Sequence, residues 1–219
     1  MALSRQSAID NSSIALVLAS SSPRRSEILT SLGIPFAANP ADVDERLRPG
    51  ESGEAAASRL ASDKAALVAA RHPESWVLAA DTLVLLDGDI LGKPRDDAEA
   101  AEMLRRLAGR EHRVVTAVRL RKGADAGREA VVLSSVRISP LSPEEIRWYV
   151  ATGEPRDKAG AYAVQGLGAR FIESVTGSYT NVMGLPARAV YSLLKETRDP
   201  IVEGWLFLTS QQSTVDSRQ

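Results

Sequence analysis

Cysteine is absent from this chain and histidine nearly so, His72 and His112 being the only two among 219 residues. The first absence excludes disulfides, thiolate zinc sites and a cysteine nucleophile. It agrees with a cytoplasmic protein without identifying the compartment. Two histidines do not furnish a multi-histidine metal centre, which leaves a hard cation held by carboxylates as the metal chemistry still open. An excess of one charge is also missing. Lys and Arg number 27 against 28 Asp and Glu, a net charge of -1. No overall basic field therefore draws in nucleic acid or an anionic membrane, and any anion site must be a local concentration of cations. No apolar run approaches the ~20 residues of a membrane span, and residues 1–13 lack the apolar centre of a signal peptide. Walker-type Gly-x-x-x-x-Gly-Lys-Ser/Thr and Gly-x-Gly-x-x-Gly runs are missing too, and with them the mechanical parts of P-loop and dinucleotide-binding proteins.

What is present is an ordinary globular composition, 44% hydrophobic and 25% charged, in a chain long enough to bury a real core. Without repeats or a dividing linker, the organisation reads as one domain over 14–208 between polar tails, 1–13 and 209–219. The apolar run 14–19 feeds into Ser20-Ser21-Ser22-Pro23-Arg24-Arg25, a strand, loop and helix start with Ser22 at the cap and Pro23 at the first helical position. Arg24 and Arg25 then fall where the helix dipole is already positive, the wrong sign for stability unless an anion lies among the hydroxyls and orphan N–H groups. A plain capped surface helix with solvated arginines is the competing reading. Gly33 closes this helix, and an extended segment follows at 34–36. Acids gather at 42–45, ending on Glu45. A second helix, 53–71, carries Lys64 on the same face as Leu60, Leu67, Val68 and Arg71, either snorkelling or functional.

The run 76–80 reads as a buried strand ending on Asp81-Thr82, a strand-end turn or a ligand-binding carboxylate. Asp87-Gly88 marks a hairpin whose returning arm brings Lys93 back towards Asp81. Asp96 with Glu99 makes a capping box for a helix running to about Ala108, which Gly109 stops. Residues 113–120 and 130–138 pair as a long hairpin, with His112 at a strand edge. Ser142-Pro143 opens another helix, ending at Gly153. A glycine-punctuated loop then contains Gln165, either a turn glutamine or an amide able to read a base edge. A strand at 169–175, a polar turn at 177–181 and a helix at 186–196 complete the order. Loops at strand ends, cations beside them and acids close by are what a polyphosphate site with a divalent metal requires.

Leu18-Ala19-Ser20-Ser21-Ser22-Pro23-Arg24-Arg25, Ala80-Asp81-Thr82 with Lys93-Pro94, Asp157-Lys158-Ala159-Gly160-Ala161-Tyr162, Gln165-Gly166, Gly177-Ser178-Tyr179 and Gly184-Leu185-Pro186 follow one another in order. The set resembles the Maf family of nucleoside triphosphate pyrophosphatases over roughly residues 14 to 196. The resemblance implies an α/β fold, with α/β/α layers around a mixed sheet like that of the inosine triphosphate pyrophosphatases, two lobes and a central cleft. It matches Asp81 to the catalytic proton acceptor, Ser22, Arg25, Lys64 and Lys93 to phosphate-binding positions, and Glu45 to a further acid that holds a Mg²⁺ or Mn²⁺ ion together with Asp81. Arg24, Thr82 and Gln165 match the positions that separate subgroups, and here resemble members acting on dTTP and UTP. Ser21 stands where relatives commonly have glycine. Housekeeping of the nucleotide pool and a homodimer are also implied. The alternative keeps the fold but makes the protein a non-catalytic nucleotide- or nucleic-acid-binding regulator of septum formation.

Overall fold

The computed structural model describes residues 16–207; both tails, with Ile14 and Ala15 of the first apolar run, lie outside them. The order is β1 (Leu16–Leu18), α1 (Pro23–Ser31), β2 (Ala37–Ala38), α2 (Gly53–Ala69), β3 (Trp76–Leu86), β4 (Asp89–Leu91), α3 (Asp97–Leu107), β5 (Glu111–Lys122) and β6 (Arg128–Ile138). Then come α4 (Pro143–Ala151), 3-10 turns at Glu154–Asp157, Ala159–Ala161 and Gly166–Phe171, β7 (Ile172–Thr176), α5 (Tyr179–Val182), α6 (Ala187–Glu196) and α7 (Pro200–Phe207). One mixed sheet runs β2-β1-β3-β5-β6-β7, with β4 added to β3. Strands β1 and β2 are parallel to their neighbours and the rest are antiparallel.

The central strand explains the layout. β3 is apolar at every position except Asp81 and Thr82, so both of its faces are covered. On one face Val77 and Ala79 pack with Ala65, Val68 and Ala69 of α2, while Leu83 and Leu85 pack with Ala56, Ala57 and Ala61 of the same helix. On the other, Trp76, Leu78 and Ala80 meet α1 and α6, whereas Val84 and Leu86 meet α3 and α4. Asp81 and Thr82 thus mark a seam between apolar clusters on both faces. The β1 ladder covers β3 residues 76–78 and the β4 ladder 84–86, so between them β3 has a strand partner only on the β5 side. A cleft opens at that unpaired edge.

Several expectations are corrected. β3 does not end at Asp81 but runs on to Leu86, because β5 pairs with it without a break from Trp76 to Leu85. The buried face of α2 is Gly53, Ala56, Ala57, Leu60, Ala61, Lys64, Ala65, Val68 and Ala69, leaving Leu67 half-buried and Arg71 exposed. Extended pairing after α1 falls at Ala37–Ala38 rather than 34–36. Residues Gly166–Phe171 form a 3-10 turn, which shortens the expected strand to Ile172–Thr176. The polar turn at 177–181 is a short helix capped by Ser178. Glu99 bonds the Arg95 N–H instead of closing a box on Asp96. His112 is interior, 3% exposed, since β5 lies between two partners. Helix α7 was not anticipated; Asp199 caps it and accepts a bond from the Trp76 indole at 3.0 Å.

The hairpin, by contrast, forms as its sequence requires. Asp87 at φ 53 and Gly88 at φ 89 make the turn between Leu86 and Asp89. Ser142 and Glu145 close a full capping box at the start of α4. No helix among the described residues is long and apolar enough to cross a membrane.

Candidate active site

A cleft of about 520 Å³ lies at the seam in β3 and brings together Ser22, Arg24, Arg25, Glu45, Lys64, Asp81, Thr82, Lys93 and Gln165. Their elements are five: the loop into α1, the 39–52 connection, α2, β3 with the segment after β4, and the glycine-rich turns before β7.

At its floor sits an ion cluster. Lys64, on the α2 face that covers β3, places Nζ 2.6 Å from Asp81 Oδ1 and 2.6 Å from Glu45 Oε1. Both Lys64 and Asp81 side chains are only 9% exposed. Spacing put Lys64 on the apolar stripe, and the structure shows it paired there rather than snorkelling out. Lys93, at the exposed rim, approaches Glu45 Oε2 at 3.9 Å. Burial pushes the Asp81 carboxyl above the usual carboxylate range, and the attraction of Lys64 and Arg25 does not cancel it. For Glu45 the balance reverses. Burial pushes it up, but the hydrogen bond and charge of Lys64, with Lys93 and Arg25 behind them, hold it below its ordinary value. Two carboxylates sharing one ammonium therefore differ, with Asp81 the better proton acceptor of the two.

The second group is the loop into α1. Ser22 occupies the cap position, yet its hydroxyl makes no cap bond, which leaves it facing the cleft. Arg25 spends three of its donors on the protein: Nε on the Gly184 carbonyl at 2.8 Å, Nη1 on Ser20 Oγ at 3.2 Å and Nη2 on Thr82 Oγ1 at 3.2 Å. Its remaining N–H groups are available to an anion. Burial lowers the Arg25 guanidinium from its ordinary value, with Asp81 opposing. Thr82 in turn pairs with Thr116 at 2.9 Å, whose hydroxyl reaches the Asn181 carbonyl. Arg24 points across the cleft towards Asp157, 3.8 Å away.

Sequence reasoning missed three contributors. Ser20 bonds both Arg25 and the Ser22 N–H. The Gly184 carbonyl is aimed by a backbone at φ +107, a conformation that suits glycine. Lys158 lines the cleft with a side chain only 12% exposed, held by Asp157 at 2.5 Å and the Glu154 carbonyl at 2.7 Å. Each lay inside a motif already noted, but the local pattern gave it no partner.

Comparison with known proteins adds the following. The family described as Maf-like protein matches residues 15–197. Proteins similar to this chain include a dTTP/UTP pyrophosphatase of Symbiobacterium thermophilum, 49% identical over 86% of this chain and 97% of its own. Another, from Myxococcus xanthus, is 50% identical over 85% of this chain and 94% of its own. Among solved structures, a HAM1 protein from Coxiella burnetii is 19% identical with a TM-score of 0.41, covering 59% of this chain and 75% of that one. A nucleoside-triphosphatase (dITP/XTP pyrophosphatase) from Mycobacterium abscessus is 17% identical with a TM-score of 0.40, covering 84% and 99%. With one matched family spanning residues 15–197 and relatives at half identity across nearly the same stretch, the chain belongs to the Maf-like protein family.

Proposed function

We propose that this chain hydrolyses dTTP and UTP between the α- and β-phosphates, giving the nucleoside monophosphate and pyrophosphate. The observation that carries the reading is a buried Asp81, its pKa raised by burial, held by Lys64 in a cleft that also gathers Arg25, Ser22 and Lys93. The names of the relatives supply the substrate class. In the reaction a water oxygen bonds to the α-phosphorus while the bond from that phosphorus to the bridging oxygen breaks. Pyrophosphate leaves with the electron pair, and the water's proton passes to Asp81. Arg25, Lys64 and Lys93 offset charge on the phosphates, each charge-assisted hydrogen bond being worth roughly 1.5–3 kcal/mol. Ser22 Oγ and the first N–H groups of α1 add neutral donors.

A divalent cation suits this donor set. Among the described residues no group of three or more His, Cys, Asp or Glu forms a protein cage. Asp81 and Glu45 nevertheless share one ammonium from separate elements, and one or two carboxylates plus substrate phosphates are what Mg²⁺ takes. These two residues would hold Mg²⁺ or Mn²⁺, which when bound supplies further charge neutralisation and polarises a phosphoryl oxygen. Arg24, Thr82 and Gln165 are assigned to base selection. Uracil and thymine present two carbonyls flanking one N–H, a pattern that Gln165 can meet and cytosine does not repeat. The reading extends to a single catalytic domain over 14–208, acting in the cytoplasm as a homodimer on free nucleotides rather than nucleic acid. Pyrophosphate release from a panel of nucleotides, with metal and after chelation, tests it. Release from UTP and dTTP that stops on chelation is expected, and no release from either nucleotide under any metal condition would refute it.

A further inference from the structure

Gln165 stands at the cap position of the 3-10 turn Gly166–Phe171, yet its own side chain makes no cap bond. The capping is done from elsewhere. Glu154 Oε2 accepts the Leu167 N–H at 2.9 Å and Oε1 the Gly168 N–H at 2.9 Å. These are the orphan donors that a cap residue's own side chain would ordinarily satisfy, and a carboxylate is the favoured charge at such an end. Glu154 Oε1 also accepts the Tyr149 hydroxyl at 2.8 Å, and that hydroxyl accepts the Ala163 N–H at 3.0 Å. Donors on both sides of Gln165, at 163 and at 167–168, are thus tied to one carboxylate and one phenol. Tyr149 is fully buried. The fit is close. A Cβ at Gly166 would lie 2.6 Å from Glu154 Oε2, and one at Gly168 would lie 2.4 Å from the Tyr149 hydroxyl. Lys158 Nζ ties the Glu154 carbonyl into the same corner at 2.7 Å.

We propose that Glu154, with Tyr149, is a positioning pair for base selection: by capping the turn in place of Gln165, it frees the Gln165 amide and fixes where that amide meets the pyrimidine edge. Glu154 touches no substrate in this account and acts through the turn. The proposal rests on Gln165 reading the base, so the test separates the two ideas. Glu154→Gln keeps the size of the side chain, but loses the charge and half of its acceptor capacity. The ratio of kcat/KM for UTP over CTP is measured by pyrophosphate release for wild type, Glu154→Gln, Gln165→Ala and the double variant.

Glu154→Gln should lower that ratio about tenfold, the loss lying in KM for UTP. The double variant should be no less selective than Gln165→Ala alone, because both changes disable one device. If Gln165→Ala erases selectivity while Glu154→Gln leaves the ratio intact, or slows UTP and CTP by the same factor, the positioning role is refuted and the base contact stands. If Gln165→Ala leaves the ratio unchanged, both fall. Should Glu154→Gln fail to fold, Tyr149→Phe retains the buried ring and deletes two bonds around the same turn, with the same ratio as readout.

Discussion

Asp81→Asn keeps the volume of the side chain and removes its charge, and the structure fixes what each change is worth. Asp81 is 7% exposed and its Oδ1 lies 2.6 Å from Lys64 Nζ. Deleting a charge-assisted hydrogen bond costs about 1.5–3 kcal/mol. Against this, burial already outweighs the attraction of Lys64 and Arg25, so the ionised carboxyl is held at a cost that the amide escapes. Lys64 retains Glu45 Oε1 at 2.6 Å, and the new amide oxygen can still accept from it. The two terms nearly cancel, leaving a change within ~1 kcal/mol, or ~2–4 °C in Tm for a chain of this size. Lys64→Met should behave quite differently. It leaves two acids facing each other, one of them buried, at a cost of about 3–5 kcal/mol. The pH dependence follows from the direction of the shift. With a native pKa raised above the unfolded value of about 3.9, native protein binds more protons, so stability falls as pH rises through that window. Asp81→Asn removes this component, and Lys64→Met steepens it. Loss of the proton acceptor should meanwhile reduce turnover by about 10²–10⁴. Thermal melts at acidic and alkaline pH, paired with pyrophosphate release, decide the matter. Wild-type turnover by Asp81→Asn, or a melting point as low as that of Lys64→Met, would refute the reasoning.

Lys93→Gln removes a side chain that is 62% exposed and only 3.9 Å from its acid; thermal melting should shift by less than ~1 kcal/mol, while kcat/KM should fall about tenfold to a hundredfold as one phosphate contact is lost. His112 is held down to about 4 by burial, with Nδ1 buried and without a hydrogen-bond partner among the described residues, and Nε2 on the Tyr162 hydroxyl at 2.7 Å. Between about 6.5 and that value the unfolded chain takes up a proton that native protein refuses, so acid should withdraw roughly 3 kcal/mol across the window. His112→Phe should be less stable at pH 8 by about 1–3 kcal/mol, the Tyr162 hydroxyl having lost its partner, yet should lose less between pH 6.5 and 4. Urea melts across that range check it, and parallel curves for the two proteins would overturn the assignment.

Local chemistry was readable in the chain wherever one short segment decides it. Asp87-Gly88 makes its turn and Ser142-Pro143 its cap because neither depends on a distant partner. Asp81 was misplaced at a strand end for the same reason. Two polar residues interrupting an apolar run look like a boundary, and only the uninterrupted pairing with β5, distant in sequence, shows that the strand continues. The hold on Arg25 was invisible for a stronger version of that cause, since Thr82 and Gly184 lie 57 and 159 positions away. Helical spacing put Lys64 on the buried face of α2 but could not choose between a snorkelling stem and an ion pair. The choice is made by Asp81, the inward-facing acid of β3 beneath that helix.

The same geometry weighs against a regulator that binds nucleotides without turning them over. Asp81 and Lys64 lie among alanine, valine and leucine side chains that would close the seam readily, and replacing a buried ion pair by apolar residues of similar volume is commonly neutral or stabilising. Anion binding alone would be served by Arg25, Lys93 and the start of α1, and a buried acid weakens it whenever it is ionised, by repelling phosphate. An acid that adds no net stability and opposes binding is accounted for by a role in which it accepts a proton, and hydrolysis supplies one. On the binding-only account, Asp81→Asn should tighten nucleotide binding measured without divalent metal, and neither wild type nor the variant should release pyrophosphate. On the catalytic account it tightens metal-free binding likewise and lowers turnover by about 10²–10⁴, so metal-free binding and pyrophosphate release measured on wild type and that one variant separate the two.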